Sequence, residues 1–359
     1  MQAEPFDHHG IRVINRHICY LCGSEGKVVH EGMRDLIYTS TPGVWSIREC
    51  VNPKCGLHWS DPQPVEEELG KLYTSYFTHG GIAAHVRGDR WNRWKRACYN
   101  GVRYSALGYE TGDKGKLERL GNFGGRIMSL FPQIRDRVSA SMYWLPQTPG
   151  GKLLDVGCGS GEALAMFRDL GWNVSGIDPD PVAAACGRES RSVEVTAGFL
   201  EAASYPENHF DYVTLHHVIE HLPDVTRTLK AVHHVLKPGG RLLVATPNTQ
   251  SRGSRKFGKS WLGWDSPRHL NIFSQKSMPH AIELGGLRLI KQWTCARQAS
   301  WLLACRDAIE ENGSLPGLKL PWPPSLKSRM KRAWYGFTES LFCPMSRWGE
   351  ELVVLAEKA

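Results

Sequence analysis

From Lys152 onward, strand-length apolar runs alternate with stretches of helical periodicity. The runs are Lys152–Val156, Asn173–Ile177, Ser192–Thr196, Phe210–Leu215 and Gly240–Thr246, and amphipathic stretches such as Gly161–Leu170 and Val225–Leu236 lie between them. This alternation predicts an α/β fold with a parallel sheet covered on both faces. Two last strands, Leu287–Thr294 and Glu351–Leu355, bracket an insertion of roughly fifty residues. It carries Pro316, Pro321, Pro323 and Pro324, then a basic helical stretch near Lys327–Arg332.

Upstream, residues 1–65 show short β-like runs rich in Cys, Gly and Pro, ending at Asp61-Pro62-Gln63-Pro64. Glu66, Glu67 and Glu68 suit the positive end of a helix dipole, so a helix is expected to start there. Residues 66–146 read as largely helical and basic, with Arg87, Arg90, Arg93, Lys95, Arg96 and Arg103 against Asp89. The breaker cluster Pro146–Gly151 marks a boundary. The expected organisation is therefore a module at 1–65, a helical cap at 66–146, a main domain at 147–298, an insertion at 299–348 and a final strand of the main domain at 349–359.

With 359 residues, 41% hydrophobic and 22% charged, the chain can bury a sizeable core, which excludes wholesale disorder. Apolar runs such as Ser300–Cys305 are too short to span a bilayer. Met1–His9 has neither a basic start nor an apolar run, so a secretory signal is not expected and a cytoplasmic protein is. The net charge of +8 permits an anionic partner without naming one.

The sharpest motif is Leu153-Leu154-Asp155-Val156-Gly157-Cys158-Gly159-Ser160-Gly161, an apolar strand running into alternating glycines and then a helix. Such glycines allow a tight turn and close approach of a ligand. An acid, Asp178, ends the next strand 21 residues after Gly157 and is followed by Pro179. That is the position of a carboxylate gripping ribose hydroxyls. The glycine spacing is not the dinucleotide fingerprint. Asp155, just before the glycines, suits the ammonium of an amino-acid-bearing nucleoside better than a pyrophosphate.

This constellation resembles the class I S-adenosylmethionine-dependent methyltransferases. Phe210-Asp211-Tyr212-Val213 followed by Val218-Ile219-Glu220-His221-Leu222-Pro223-Asp224 resembles that family's fourth strand and the segment lining donor and acceptor. Leu236-Lys237-Pro238-Gly239-Gly240-Arg241-Leu242-Leu243-Val244 resembles its turn into strand five. The resemblance implies a Rossmann-like, mostly parallel seven-stranded sheet closed by an antiparallel pair. It also implies an S-adenosylmethionine site at Asp155, Gly157, Cys158, Gly159, Gly161, Asp178, Pro179, Phe199, Leu200 and His216. One departure stands out: the acid that often binds adenine after strand three is replaced here by Ala197-Gly198-Phe199-Leu200, so Phe199 is expected to pack on the adenine.

Ten cysteines are present, four of them clustered as Cys19-x2-Cys22 and Cys50-x4-Cys55 with 27 residues between the pairs. Two short-spaced pairs, each followed by glycine, fit a closed four-thiolate zinc site of structural type, with His58 a possible substitute ligand. The arrangement resembles N-terminal zinc-binding modules on bacterial methyltransferases of secondary-metabolite and surface-polysaccharide pathways.

On the acceptor side, the loop Phe257–Leu270 should border the site, because ligands of open α/β sheets sit beyond the carboxyl ends of the strands. Trp261 and Trp264 are candidates to stack on a sugar or aromatic ring, and Arg268 to meet an anionic group. His216, His217, His221 and His269 are candidate bases, with His269 preferred and His221 next. The expected function is methyl transfer to a small-molecule or carrier-linked sugar acceptor. The alternatives are a quinone or phenol O-methyltransferase, a nucleic-acid-binding or -modifying protein, and a degenerate scaffold. No Asn-Pro-Pro-Tyr-like motif follows strand four, which argues against base methylation.

Overall fold

The computed structural model describes residues 4–73, 90–110, 115–315, 325–342 and 347–359. Arg87 and Asp89 of the basic run, the four prolines of the insertion and Cys343 lie outside the described residues.

The N-terminal part forms β1 (Phe6–His8), β2 (Ile11–Ile14), β3 (Gly26–Met33), β4 (Trp45–Cys50), β5 (His58–Asp61) and β6 (Gln63–Pro64). The expected helix after Pro64 is a 3-10 turn over Glu66–Tyr73. Three helices follow, α1 (Arg90–Leu107), α2 (Lys116–Met128) and α3 (Pro132–Ser141). The alternating region then gives β7 (Lys152–Val156), α4 (Glu162–Asp169), β8 (Asn173–Asp178), α5 (Pro181–Arg191) and β9 (Glu194–Ala197). It continues with β10 (Phe210–His216), α6 (Val225–Val235), β11 (Leu236–Pro247) and α7 (Arg252–Phe257). Last come β12 (Asn271–Ile272), α8 (Ser277–Leu284), β13 (Arg288–Cys295), α9 (Ala299–Asn312), α10 (Leu326–Phe342) and β14 (Glu351–Glu357).

Seven strands form the main sheet in the order β13-β14-β11-β10-β7-β8-β9, the Rossmann-like arrangement expected. β7, β8 and β9 pair in parallel, as do β10 and β11, whereas β14 runs antiparallel to both β11 and β13. The burial of Tyr212–Leu215 in β10 and of Leu242–Pro247 in β11 explains why these stretches read as apolar runs. Smaller sheets have the orders β1-β2-β6 and β12-β5-β4-β3.

The chain divides into two compact units, residues 78–198 and residues 1–77 with 199–359. In the first, Leu164, Ala184, Val193 and Val195 form a core beneath the β8 and β9 strands. In the second, residues 1–65 do not stand alone as a module. β5 pairs with β12, so strands more than two hundred residues apart share one sheet. Val13, Trp45, Ile47 and Leu72 bury themselves in one cluster with Trp261, Trp264, Leu270 and Ile272. No helix among the described residues is long and apolar enough to cross a membrane.

Candidate functional site

Strand register builds one end of the second unit. Pairing sets His216 beside Ala245 and Glu351 beside Pro247, at the carboxyl ends of β10 and β11. A cavity of about 170 Å³ opens there, far above the ~10–15 Å³ that one water requires. Ile37, Trp261 and Leu262 give it apolar walls, and His217, Glu220, His221, Asp265, His269 and Glu351 give it polar ones.

His217 is held between two carboxylates, Nδ1 at 3.1 Å from Glu220 Oε1 and Nε2 at 2.8 Å from Glu351 Oε1. Burial opposes its charge, but hydrogen bonds to the two acids prevail and raise it to about 10. Burial likewise opposes the charge of Glu220 and Glu351, yet each is held down to about 2 by His217. Thr246 Oγ1 and Gln298 Nε2 each donate a further bond, to Glu220 and Glu351 respectively, at 2.9 Å. His217 is therefore an imidazolium with both nitrogens engaged, which removes it from the candidate bases. Its backbone is left-handed, with φ of +57°, a conformation that costs a non-glycine residue about 1–3 kcal/mol and persists only where its surroundings enforce it. His216, one residue earlier, is driven down to about 3 by burial and is neutral.

His221 and His269 meet edge to face, ring centroids 4.7 Å apart. Each places Nδ1 against a backbone carbonyl, His221 at 3.1 Å from Arg268 O and His269 at 2.8 Å from Gly263 O. A carbonyl only accepts, so Nδ1 carries a proton in both rings, and Nε2 is the nitrogen that holds the lone pair when either ring is neutral. The Tyr73 hydroxyl lies 3.0 Å from the same His221 nitrogen. Burial, then the neighbouring His269, pushes His221 down to about 4, leaving it a weak base. His269 differs in having a carboxylate near its free nitrogen, with Asp265 Oδ2 at 3.9 Å from Nε2.

The expected substrate roles of Arg268 and Trp264 give way to structural ones. Arg268 is wholly buried. It grips Asp35 through Nη1 and Nη2 at 2.9 and 2.7 Å, and Asp265 through Nη2 and Nε at 2.6 and 3.1 Å. Two carboxylates occupy the guanidinium, so no edge is left for an anionic acceptor. Asp35 in turn accepts the backbone amides of Tyr38, Ser40 and Thr41, which clamps the loop after β3 onto the loop before β12. Trp264 is buried with its indole N–H on Gly258 O, and its ring lies beside His30 and His58. Trp261 is also buried, its N–H given to Glu350 at 2.9 Å, though it keeps a place in the cavity wall.

Removing one partner of such a buried pair leaves an uncompensated charge. Arg268→Ala is thus expected to destabilise the fold by about 3–5 kcal/mol, read as a lowered urea midpoint. Arg268→Lys should fail to restore it, because a point charge cannot bridge two carboxylates bidentately. An unchanged midpoint in Arg268→Ala would contradict the clamp.

The glycine turn belongs to the other unit. Gly159 has φ of +53°, and a Cβ built there would meet nothing within 4 Å, so the turn leaves open space above itself. Asp178 ends β8 and accepts the amides of Gly159 at 2.7 Å and Asp180 at 2.9 Å, tying the acid to the turn. Asp155 is buried, Cys158 half-buried and Pro179 exposed. An open cradle bordered by fixed carboxylates fits a cationic amino-acid-bearing nucleoside. Phe199 and Leu200 begin the second unit; Phe199 is 44% exposed, whereas Leu200 is buried.

The four clustered cysteines come together, with Sγ–Sγ distances of 3.6 Å for Cys19–Cys55 and 3.4 Å for Cys22–Cys50. None of the four is in a disulfide. The sulfur atoms of a tetrahedral zinc site with ~2.3 Å bonds lie about 3.8 Å apart, so the constellation fits a metal and not a pair of disulfides. His58 stands outside this cluster; burial holds it down to about 4. Gly56, with φ of +67°, turns the second knuckle, and a Cβ there would come within 2.8 Å of Ser274 Oγ. Lys276 Nζ donates to Pro53 O at 2.7 Å, so the knuckle is also fastened to the turn before α8.

Glu350, Glu351, Asp35 and Gln298 were not among the expected site residues. The adjacent acids Glu350-Glu351 opening an otherwise apolar strand were the one signal available.

Residues 129–292 match the family model of the methyltransferase domain. The 2-methyl-6-phytyl-1,4-hydroquinone methyltransferase of Synechocystis is 34% identical over 143 residues, covering 38% of this chain and 44% of that protein. The ubiquinone biosynthesis O-methyltransferase of Xanthomonas oryzae is 37% identical over 129 residues, covering 34% and 52%. The chain thus spans about half the length of these relatives. A solved S-adenosylmethionine-dependent methyltransferase from Mesorhizobium loti aligns with a TM-score of 0.41 at 16% identity, over 62% of this chain and 97% of that one. The strand order and the glycine turn with its acid agree with the match of residues 129–292 to the methyltransferase-domain model.

Proposed function

We propose that this protein binds S-adenosylmethionine at the 155–161 turn and transfers its methyl group to a hydroxyl of a small polar acceptor held in the cavity. The observation that carries the reading is the pair of histidines that each engage a backbone carbonyl through Nδ1 and turn Nε2 toward a fixed carboxylate network, at the carboxyl ends of β10 and β11. When bound, the donor supplies an electrophilic methyl for in-line displacement. Asp178 holds its ribose, Asp155 its ammonium, and Phe199 packs on its adenine, with Gly157, Cys158, Gly159, Gly161, Pro179, Leu200 and His216 completing the contacts. His269 Nε2 takes the proton of the acceptor hydroxyl as the methyl transfers, and Asp265 offsets the charge the ring acquires. Ile37, Trp261 and Leu262 exclude water, and the Glu220–His217–Glu351 bridge holds the strand ends in place. Cys19, Cys22, Cys50 and Cys55 hold a zinc ion whose closed shell makes it structural.

A sugar-type acceptor, free or carrier-linked, suits a cavity with so many hydrogen-bonding groups. The second reading is a hydroquinone or other phenol, favoured by the names of the two relatives and by the apolar walls. Incubation with isotopically labelled donor and a panel of nucleotide sugars, lipid-linked sugars and hydroquinones, followed by mass spectrometry, separates them. Label in none of these would defeat both readings.

Donor binding has its own test. Asp178→Ala removes a charged hydrogen-bond acceptor, a change of about 1.5–3 kcal/mol. Affinity for S-adenosylmethionine should fall by about 10- to 150-fold in calorimetry, and unchanged affinity would take Asp178 out of the site.

A further inference from the structure

We propose that α10 docks this protein on an anionic lipid surface. Leu326, Met330, Trp334 and Phe337 are 70%, 65%, 68% and 51% exposed. Their spacing of four, four and three residues sets them in one stripe along the helix. The opposite side is already committed. Tyr335 is buried in a cluster with Ala296, Ala299 and Leu303, and Ser300 Oγ donates to Arg332 O at 3.0 Å. The helix is therefore pinned from behind on α9, with its apolar stripe turned to solvent.

Charge selects the occupant. Between residues 325 and 338 there are four cations and no acid. Lys331 is paired with Asp307, whereas Lys327 and Arg329 are exposed and lie on either side of the stripe. A Trp, Phe, Met and Leu face bordered by cations on a helix too polar to span a bilayer is the pattern of an interfacial helix, the aromatic rings at headgroup depth and the cations on anionic headgroups. α9, on which α10 rests, contributes Trp301 and Leu302 to the cavity wall. Docking would thus hold the cavity one helix away from the bilayer, where an acceptor carried on a lipid would be presented. This last step rests on the methyl-transfer reading, but the docking itself does not.

The test is co-sedimentation of the full chain with phosphatidylcholine vesicles, with and without phosphatidylglycerol. Binding is expected only to the anionic vesicles and should weaken as salt is added. Trp334→Glu/Phe337→Glu and Lys327→Glu/Arg329→Glu should each lower the partition by at least about tenfold. Equal or absent binding of the wild type to both vesicle types would overturn the proposal, as would a stripe variant that binds like the wild type. A wild-type dimer in light scattering that the stripe variant splits would also overturn it, by making a second copy the occupant. A urea midpoint in the variants equal to that of the wild type shows that they fold. Absence of donor binding in the wild type would defeat the methyl-transfer reading and leave the lipid result standing.

Discussion

His269→Ala is expected to lower turnover by about 10²–10⁴-fold, the usual contribution of a positioned general base, while S-adenosylmethionine affinity stays unchanged. The reasoning starts from tautomers. Gly263 O accepts a hydrogen bond from Nδ1, which makes Nε2 the nitrogen that can take a proton, and Asp265 lies 3.9 Å from it to offset the charge that a captured proton brings. His221 shares the tautomer but is held down to about 4, chiefly by burial, so His221→Ala should cost less. His269→Gln keeps a hydrogen-bonding amide but cannot take the proton and should fare little better than alanine. A larger loss in His221→Ala would move the base there, and loss of donor affinity in His269→Ala would assign it a structural role.

Removing the metal should have the widest effect. Structural zinc bound by thiolates contributes about 10–16 kcal/mol of apparent binding free energy near neutral pH, and that is folding free energy where no site exists in the unfolded chain. The purified protein should carry about one zinc per chain. Cys19→Ser or chelation should release it and lower turnover by well over the ~10²-fold of a single lost contact. Pairing of β5 with β12 and the Asp35–Arg268 clamp carry the disturbance from the knuckles to the cavity. Donor affinity should fall far less than turnover, since the glycine turn and Asp178 belong to a unit with its own core. Full turnover after stoichiometric metal loss, or metal analysis finding no zinc in unchelated protein, would refute this account.

The sheet and the glycine turn were legible because both are local. A buried parallel strand announces itself as an apolar run, and an acid at the end of the next strand needs only a count of residues. The cysteine knuckles were legible for the same reason. The clamp was not, because Asp35 and Arg268 are 233 residues apart and neither sits in a pattern. Nor did composition distinguish a substrate loop from a buried seam. Trp261, Trp264 and Arg268 are the residues of a binding site, and they are equally those of a core that has to bury a cation with its counter-ions. His217 read as a base until its second partner, Glu351, arrived from a strand 134 residues away.

That last contact also sets an order of assembly. The glycine turn and its acid are complete within some thirty residues of chain, whereas the cavity needs Ile37, His217, His269 and Glu351 together. During vectorial synthesis the donor-side unit can fold while β14 is still inside the ribosome. The acceptor side must hold its early knuckles and late loops in waiting until that strand inserts between β11 and β13. The cavity is thus completed by long-range strand pairing, the kind of contact whose loop-closure cost makes it form late.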